Sequence, residues 1–141
     1  MKKLLAVTII IFSFGVSFAQ SADETAIRGV LSYQESAWNS ASIDNFMKGY
    51  WVSDSLVFIG KSVTYGWQKT LDNYKKRYPD TAAMGKLSFN LLEFKPLSPG
   101  YYFVVGKWHL QRSVGNLDGY FTLLFKKIKG QWVIIADHSS W

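Results

Sequence analysis

Residues 101–139 read YYFVVGKWHLQRSVGNLDGYFTLLFKKIKGQWVIIADHS, and the reading of this stretch decides the fold. Residues 101–113 are one long β-prone run, closed by a Gly115-Asn116-Leu117-Asp118-Gly119 loop of turn formers. Residues 119–127 form the returning strand, Lys129-Gly130 supplies a tight turn, and residues 131–139 form a third strand. Three long antiparallel strands in a meander follow. In the last of them Trp132, Ile134 and Ala136 share one side while Val133 and Ile135 share the other, so both faces are apolar and both need cover.

The cover is sought upstream. Leu87-Ser88-Phe89-Asn90-Leu91 alternates strictly as a further strand, which Pro96 and Ser98-Pro99-Gly100 are expected to end. Trp67, Leu71, Tyr74 and Tyr78 recur at helical spacing, and Pro79 stops that helix near Tyr78. Ser55-Leu56-Val57-Phe58-Ile59 reads as a short buried strand, with residues 61–66 turning the chain after it. Ser42 is placed to cap a short helix carrying Ile43, Phe46, Met47 and Tyr50 on one stripe. Ahead of it, Ser21-Ala22-Asp23-Glu24 fits a capping box, followed by Ile27, Val30, Leu31, Gln34 and Trp38 on one helical face. The class is α+β. Three short helices roof one face of the sheet, which leaves the opposite face for a second subunit and predicts a homodimer.

The first residues predict export. Lys2 and Lys3 precede an apolar run over 4–16, and Ser17-Phe18-Ala19 ends it with small residues at its first and third positions, the pattern of a secretory signal peptide cleaved after Ala19. The run is shorter than the ~20 apolar residues of a spanning helix, so no membrane association is expected after cleavage. The expected mature protein, 20–141, is one domain, periplasmic or secreted. With no Cys in the chain, its stability rests on packing, for which the 17% aromatic content is suited. Losing Lys2 and Lys3 from 16 basic side chains leaves 14 against 10 acidic ones, a charge of +4. The Lys75-Lys76-Arg77 cluster closes a helix, where cations complement the dipole, and no basic stripe accompanies it, so no nucleic-acid partner is expected.

The order helix, helix, strand, helix, meander resembles the nuclear transport factor 2-like superfamily. Gln34-Glu35-Ser36-Ala37-Trp38-Asn39-Ser40 resembles the first-helix end of SnoaL-like members, and Tyr65-Gly66-Trp67 their loop into the third helix. The segment from Gly119-Tyr120-Phe121-Thr122-Leu123 through Gly130-Gln131-Trp132-Val133-Ile134 to Asp137-His138-Ser139-Ser140 resembles the terminal hairpin of the family. It is also similar to the association domain of calcium/calmodulin-dependent kinase. The resemblance implies a strongly curved sheet wrapped around the long first helix to make a cone. It does not imply one function, because the fold carries isomerases, cyclases and oligomerisation hubs.

Ketosteroid isomerase chemistry needs a carboxylate base with a Tyr and a protonated Asp donating to the enolate. By approximate alignment the base falls near Phe58 or Ile59, the second Asp near Thr122 or Leu123, and the Tyr near Tyr33 or Gln34, so two of the three roles are empty. A SnoaL-type acidic group would be Asp54 or Asp137. On strict alternation Asp137 points opposite to His138, and His138 shares the cavity face with Trp132 and Ile134. His109 and His138 are too far apart in sequence to suggest a metal site, and no Gly-rich phosphate loop is present, so no metal, no cofactor and no catalytic set is assigned. The candidate ligand-binding residues are Tyr50, Phe58, Tyr65, Trp67, Trp108 and His138. They predict a pocket for a small apolar or aromatic molecule, with anion receipt at the helix start after Gly66. The competing expectations are a lyase, isomerase or cyclase using Asp54 or His138 for proton transfer, and a ligand-free association module.

Overall fold

The computed structural model describes residues 15–140, with side chains from Ala22 onward. Residues 1–14, and with them most of the expected signal peptide, lie outside the described residues. Among those described, no helix is long and apolar enough to cross a membrane.

Helix α1, Gly15–Asn39, presents Ile27, Leu31, Gln34 and Trp38 as one fully buried stripe. It begins upstream of Ser21, so the expected capping box lies inside the helix. The exit is set by Ala41, whose φ of 59° is left-handed and breaks the helical path. Asn39 then fastens this end to the sheet, its amide donating to the Leu87 carbonyl and its Oδ1 accepting from the Leu87 N–H. Ser42 caps α2, Ile43–Phe46, by accepting from the Asn45 N–H, and a 3-10 turn over Met47–Gly49 continues to Tyr50.

The strands that follow form one six-stranded sheet, in spatial order β2-β1-β6-β5-β4-β3. Strands β3 (Lys86–Ser98), β4 (Tyr101–Gln111), β5 (Leu117–Ile128) and β6 (Gln131–Ser139) form an antiparallel meander. Lys129 and Gly130, with φ of 50° and 77°, make the two-residue turn into β6, whose twist matches that of its strands. The sheet closes at its other side by a parallel pairing, Val57 of β1 (Val57–Ile59) lying beside Ala136 of β6. The expected three-stranded meander is thus four-stranded. Pro96 is accommodated inside β3 because β3 is an edge strand, where a missing N–H removes no ladder bond from the sheet interior. Two elements were not foreseen: β2 (Val63–Tyr65), paired antiparallel to β1 inside the expected turn, and α4 (Thr81–Met84), capped by Asp80. Helix α3 runs Trp67–Arg77 and stops where Pro79 requires.

The sheet packs one face onto α1. Tyr102, Val104, Trp108 and Leu110 of β4, Phe121, Leu123 and Phe125 of β5, and Trp132 and Ile134 of β6 are all buried there. Gly106 sits in the middle of this face because the Phe121 ring lies across it; a Cβ would collide with the ring. Alternation in β6 is broken once. Leu124 pairs with Ala136 while its neighbour Phe125 pairs with Ile134, so Ile135 is an extra residue in a β-bulge.

Candidate functional site

The bulge decides the chemistry of the interior. Strict alternation from Trp132 and Ile134 would carry Ala136 and His138 inward. One extra residue reverses the parity, so Asp137 is buried at 4% exposure and His138 is exposed. His138 therefore leaves the candidate site, and Asp137 takes its place.

Asp137 lines a cavity of about 220 Å³ between α1, α3 and the sheet. The Tyr50 hydroxyl donates to its Oδ2 over 2.7 Å and the Ser139 hydroxyl to its Oδ1 over 2.7 Å. Tyr74 approaches Tyr50, hydroxyl to hydroxyl, at 3.4 Å. Burial raises the Asp137 pKa to about 6, against the opposing pull of the Tyr50 and Ser139 hydrogen bonds and of His138. Desolvation, with the negative field of Asp137, pushes the Tyr50 and Tyr74 hydroxyls well above their ordinary range, so both remain donors at neutral pH.

The walls are aromatic because three helices deliver rings to one point. Trp38 meets Phe46 edge-on at 5.1 Å and Tyr78 at 4.9 Å, and Tyr74 meets Phe46 at 5.3 Å and Phe58 at 5.6 Å. Trp108 closes the sheet side, its indole N–H donating to the Ser140 carbonyl. Gln34 is fully buried in the wall and donates to the Phe46 carbonyl over 3.1 Å. The mouth lies between the turn Gly60-Lys61-Ser62 and the face of α3 carrying Asn73 and Arg77, where the lining side chains become exposed.

Of the six residues singled out from sequence, Tyr50, Phe58 and Trp108 come together on this cavity. Tyr65 and Trp67 do not line it: Tyr65 is 64% exposed, and the Trp67 indole donates to the Met47 carbonyl in a separate packing contact. At the helix start beside them, the Trp67 backbone N–H donates to the Ser53 carbonyl. Asp54 is exposed. Missing from the sequence-based set are Tyr74, Trp38 and Gln34, which lie on recognised helical stripes but read there as core. Among the described residues, no group of three or more His, Cys, Asp or Glu gathers that could hold a metal.

No family model and no curated protein matches the chain. Among solved structures, it is similar to an NTF-2 like protein of unknown function from Shewanella oneidensis MR-1, at 42% identity over 84% of this chain and 99% of the other, with a TM-score of 0.81. A ketosteroid isomerase-like protein from Erwinia carotovora atroseptica shares the fold at 16% identity, covering 82% and 93% of the two chains, with a TM-score of 0.64. A putative calcium/calmodulin dependent protein kinase II association domain from Xanthomonas campestris shares it at 14% identity over 81% and 84%, with a TM-score of 0.62.

Proposed function

The chain belongs to the nuclear transport factor 2-like family, and on that premise we propose that it is a pocket protein binding a small, largely apolar or aromatic molecule. The observation that carries this reading is an aromatic-walled cavity with a single buried carboxylate, Asp137, among its described lining residues. A core filled for stability alone has no use for a carboxyl group whose burial is costly, whereas a binding site uses one to orient its ligand. The test is calorimetric titration of the purified protein with small aromatic probes, with Trp38→Ala and Asp137→Asn as controls. Binding that both variants weaken supports the reading; probes that bind wild type and variants alike count against it.

Two further parts of the proposal concern assembly and location. The outer face of the sheet carries half-exposed Phe103 opposite Leu124, with Val105 and Val133 nearby, a surface suited to a second copy of the chain. Sedimentation of the purified protein tests this, and a monomer at micromolar concentration counts against it. Export through residues 1–19 is tested by N-terminal sequencing of the protein from a cell envelope or culture fraction, where a start at Gln20 is expected.

One observation favours a second reading, an acid–base enzyme of the isomerase or cyclase type. Asp137 has a pKa of about 6 and lies within hydrogen-bond reach of Tyr50, so it exchanges a proton near neutrality beside a fixed donor. In that reading it replaces Asp54 and His138, which are both exposed. Asp137-dependent deuterium uptake from solvent into an enolisable ketone would separate this reading from simple binding.

A further inference from the structure

We infer that the cavity takes a small amine, a protonated amino group donating to Asp137 on an apolar body the size of one ring. The inference rests on the pocket reading above and adds the charge and size of the ligand.

Charge follows from what the lining leaves unpaired. Asp137 is the one acidic residue among the described lining residues, and no Lys, Arg or His among the described residues lies within ion-pair distance of it. Its oxygens accept one hydrogen bond each, Oδ2 from Tyr50 and Oδ1 from Ser139. A carboxylate has about four acceptor positions, so some are left for a ligand donor. Gln34, 1% exposed, supplies a second acceptor to the lining. Its Nε2 donates to the Phe46 carbonyl, which fixes the amide orientation, and its Oε1 has no partner among the described residues. Every fully enclosed side-chain oxygen or nitrogen among those residues has a partner, so Oε1 keeps some open surface, and the space that Gln34 borders is this cavity.

The strong donors of the wall are spent on the protein itself. The Trp38 indole N–H goes to the Met84 carbonyl, that of Trp108 to the Ser140 carbonyl, and the Tyr50 hydroxyl to Asp137. The Tyr74 and Tyr78 hydroxyls can accept as well as donate. What the lining offers a ligand is thus mainly acceptors and aromatic faces, and both favour a cation. Lys61 and Arg77 also line the cavity, but they are exposed and already have partners. Solvent screens their charge, while the buried carboxylate acts through a low dielectric.

Size limits the apolar part. A cavity of about 220 Å³ exceeds the ~150 Å³ that accepts a benzene ring and falls below the ~300 Å³ at which sites for drug-sized molecules begin. One ring with a short aminoalkyl arm fits that interval.

The experiment is isothermal titration of wild type with benzylamine, benzyl alcohol and benzoate at pH 8, where Asp137 is ionised. Benzylamine is expected to bind at least about tenfold tighter than the neutral alcohol, as for one charge-assisted hydrogen bond. Benzoate, which brings a second carboxylate to Asp137, is expected to bind weakest. Asp137→Asn keeps the shape and removes the charge, so the ratio of amine to alcohol affinity should fall to about one. The wild-type ranking needs no variant and decides the matter if Asp137→Asn fails to fold. If the alcohol or benzoate binds wild type as tightly as the amine, if the variant keeps the full preference, or if indole binds and none of the three does, the charge assignment is wrong and the pocket reading survives. If none of the three binds, and indole does not bind either, both fall together.

Discussion

The Tyr50 hydroxyl and Asp137 Oδ2, 2.7 Å apart, join the end of the 3-10 turn to the last strand across the interior of the protein. Removing the hydroxyl takes a donor from a buried carboxylate. Tyr50→Phe is expected to cost about 1.5–3 kcal/mol of stability at pH 8, and less at pH 4.5, where the carboxyl is protonated. The same variant should move the Asp137 pKa above about 6, because the lost hydrogen bond was one of the influences lowering it. Carboxyl carbon chemical shifts followed through a pH titration check the direction.

Asp137 also makes stability depend on pH. Its folded pKa of about 6 lies above the ordinary 3.8, so between those values the folded chain binds more protons than the unfolded one. Stability associated with this group is therefore fully present below about pH 4 and is lost as pH rises through 6, an effect on the order of 3 kcal/mol. The groups facing it, Tyr50, Tyr74 and Ser139, do not change charge in that window. Urea denaturation of wild type and Asp137→Asn at several pH values isolates the effect. The stability of wild type relative to the variant should fall between pH 4 and pH 7; a constant difference would refute the shift.

Much of this arrangement was legible in residues 101–139. The Lys129-Gly130 turn and the bounds of β6 agree with the structure, because turn chemistry and β-branched runs are local signals. The placing of Asp137 and His138 was not legible. A bulge at Ile135 is set by how β5 and β6 pair, and nothing in Ile134-Ile135-Ala136 distinguishes an extra residue from a regular one. Strand β2 escaped notice because its three residues follow Gly60-Lys61-Ser62 and precede Gly66, a composition that reads as turn. Tyr74 and Trp38 were recognised as apolar stripe positions, but periodicity does not distinguish a ring in the core from a ring beside a void.

Deletion of Ile135 follows as a test of the parity argument. Removing the extra residue makes Ala136 follow Ile134 directly, so alternation through β6 becomes regular with Asp137 still inward and His138 still outward. The Asp137 pKa is then expected to stay near about 6. A deletion variant that folds with Asp137 titrating as a solvated carboxylate, near about 4, would show that the parity count is wrong.

Gly106 offers a separate check on the inner face. A methyl group there collides with the Phe121 ring, which has little room to yield because it also stacks edge-on against Phe89 at 5.4 Å. Gly106→Ala is expected to destabilise the protein by about 1–3 kcal/mol, measured by thermal or urea unfolding. Loss of ring-probe binding should accompany it, since Phe121 lines the cavity.

The parallel pairing of Val57 with Ala136 brings together residues nearly eighty positions apart. Among the pairings between the six strands it encloses the longest stretch of chain, so of these its loop-closure entropy is the largest. A folding intermediate with only the β3 to β6 meander formed would hold Asp137 in an open trough. The strand leading to Lys61 would still be undocked, and the ligand entrance would assemble only in the final step.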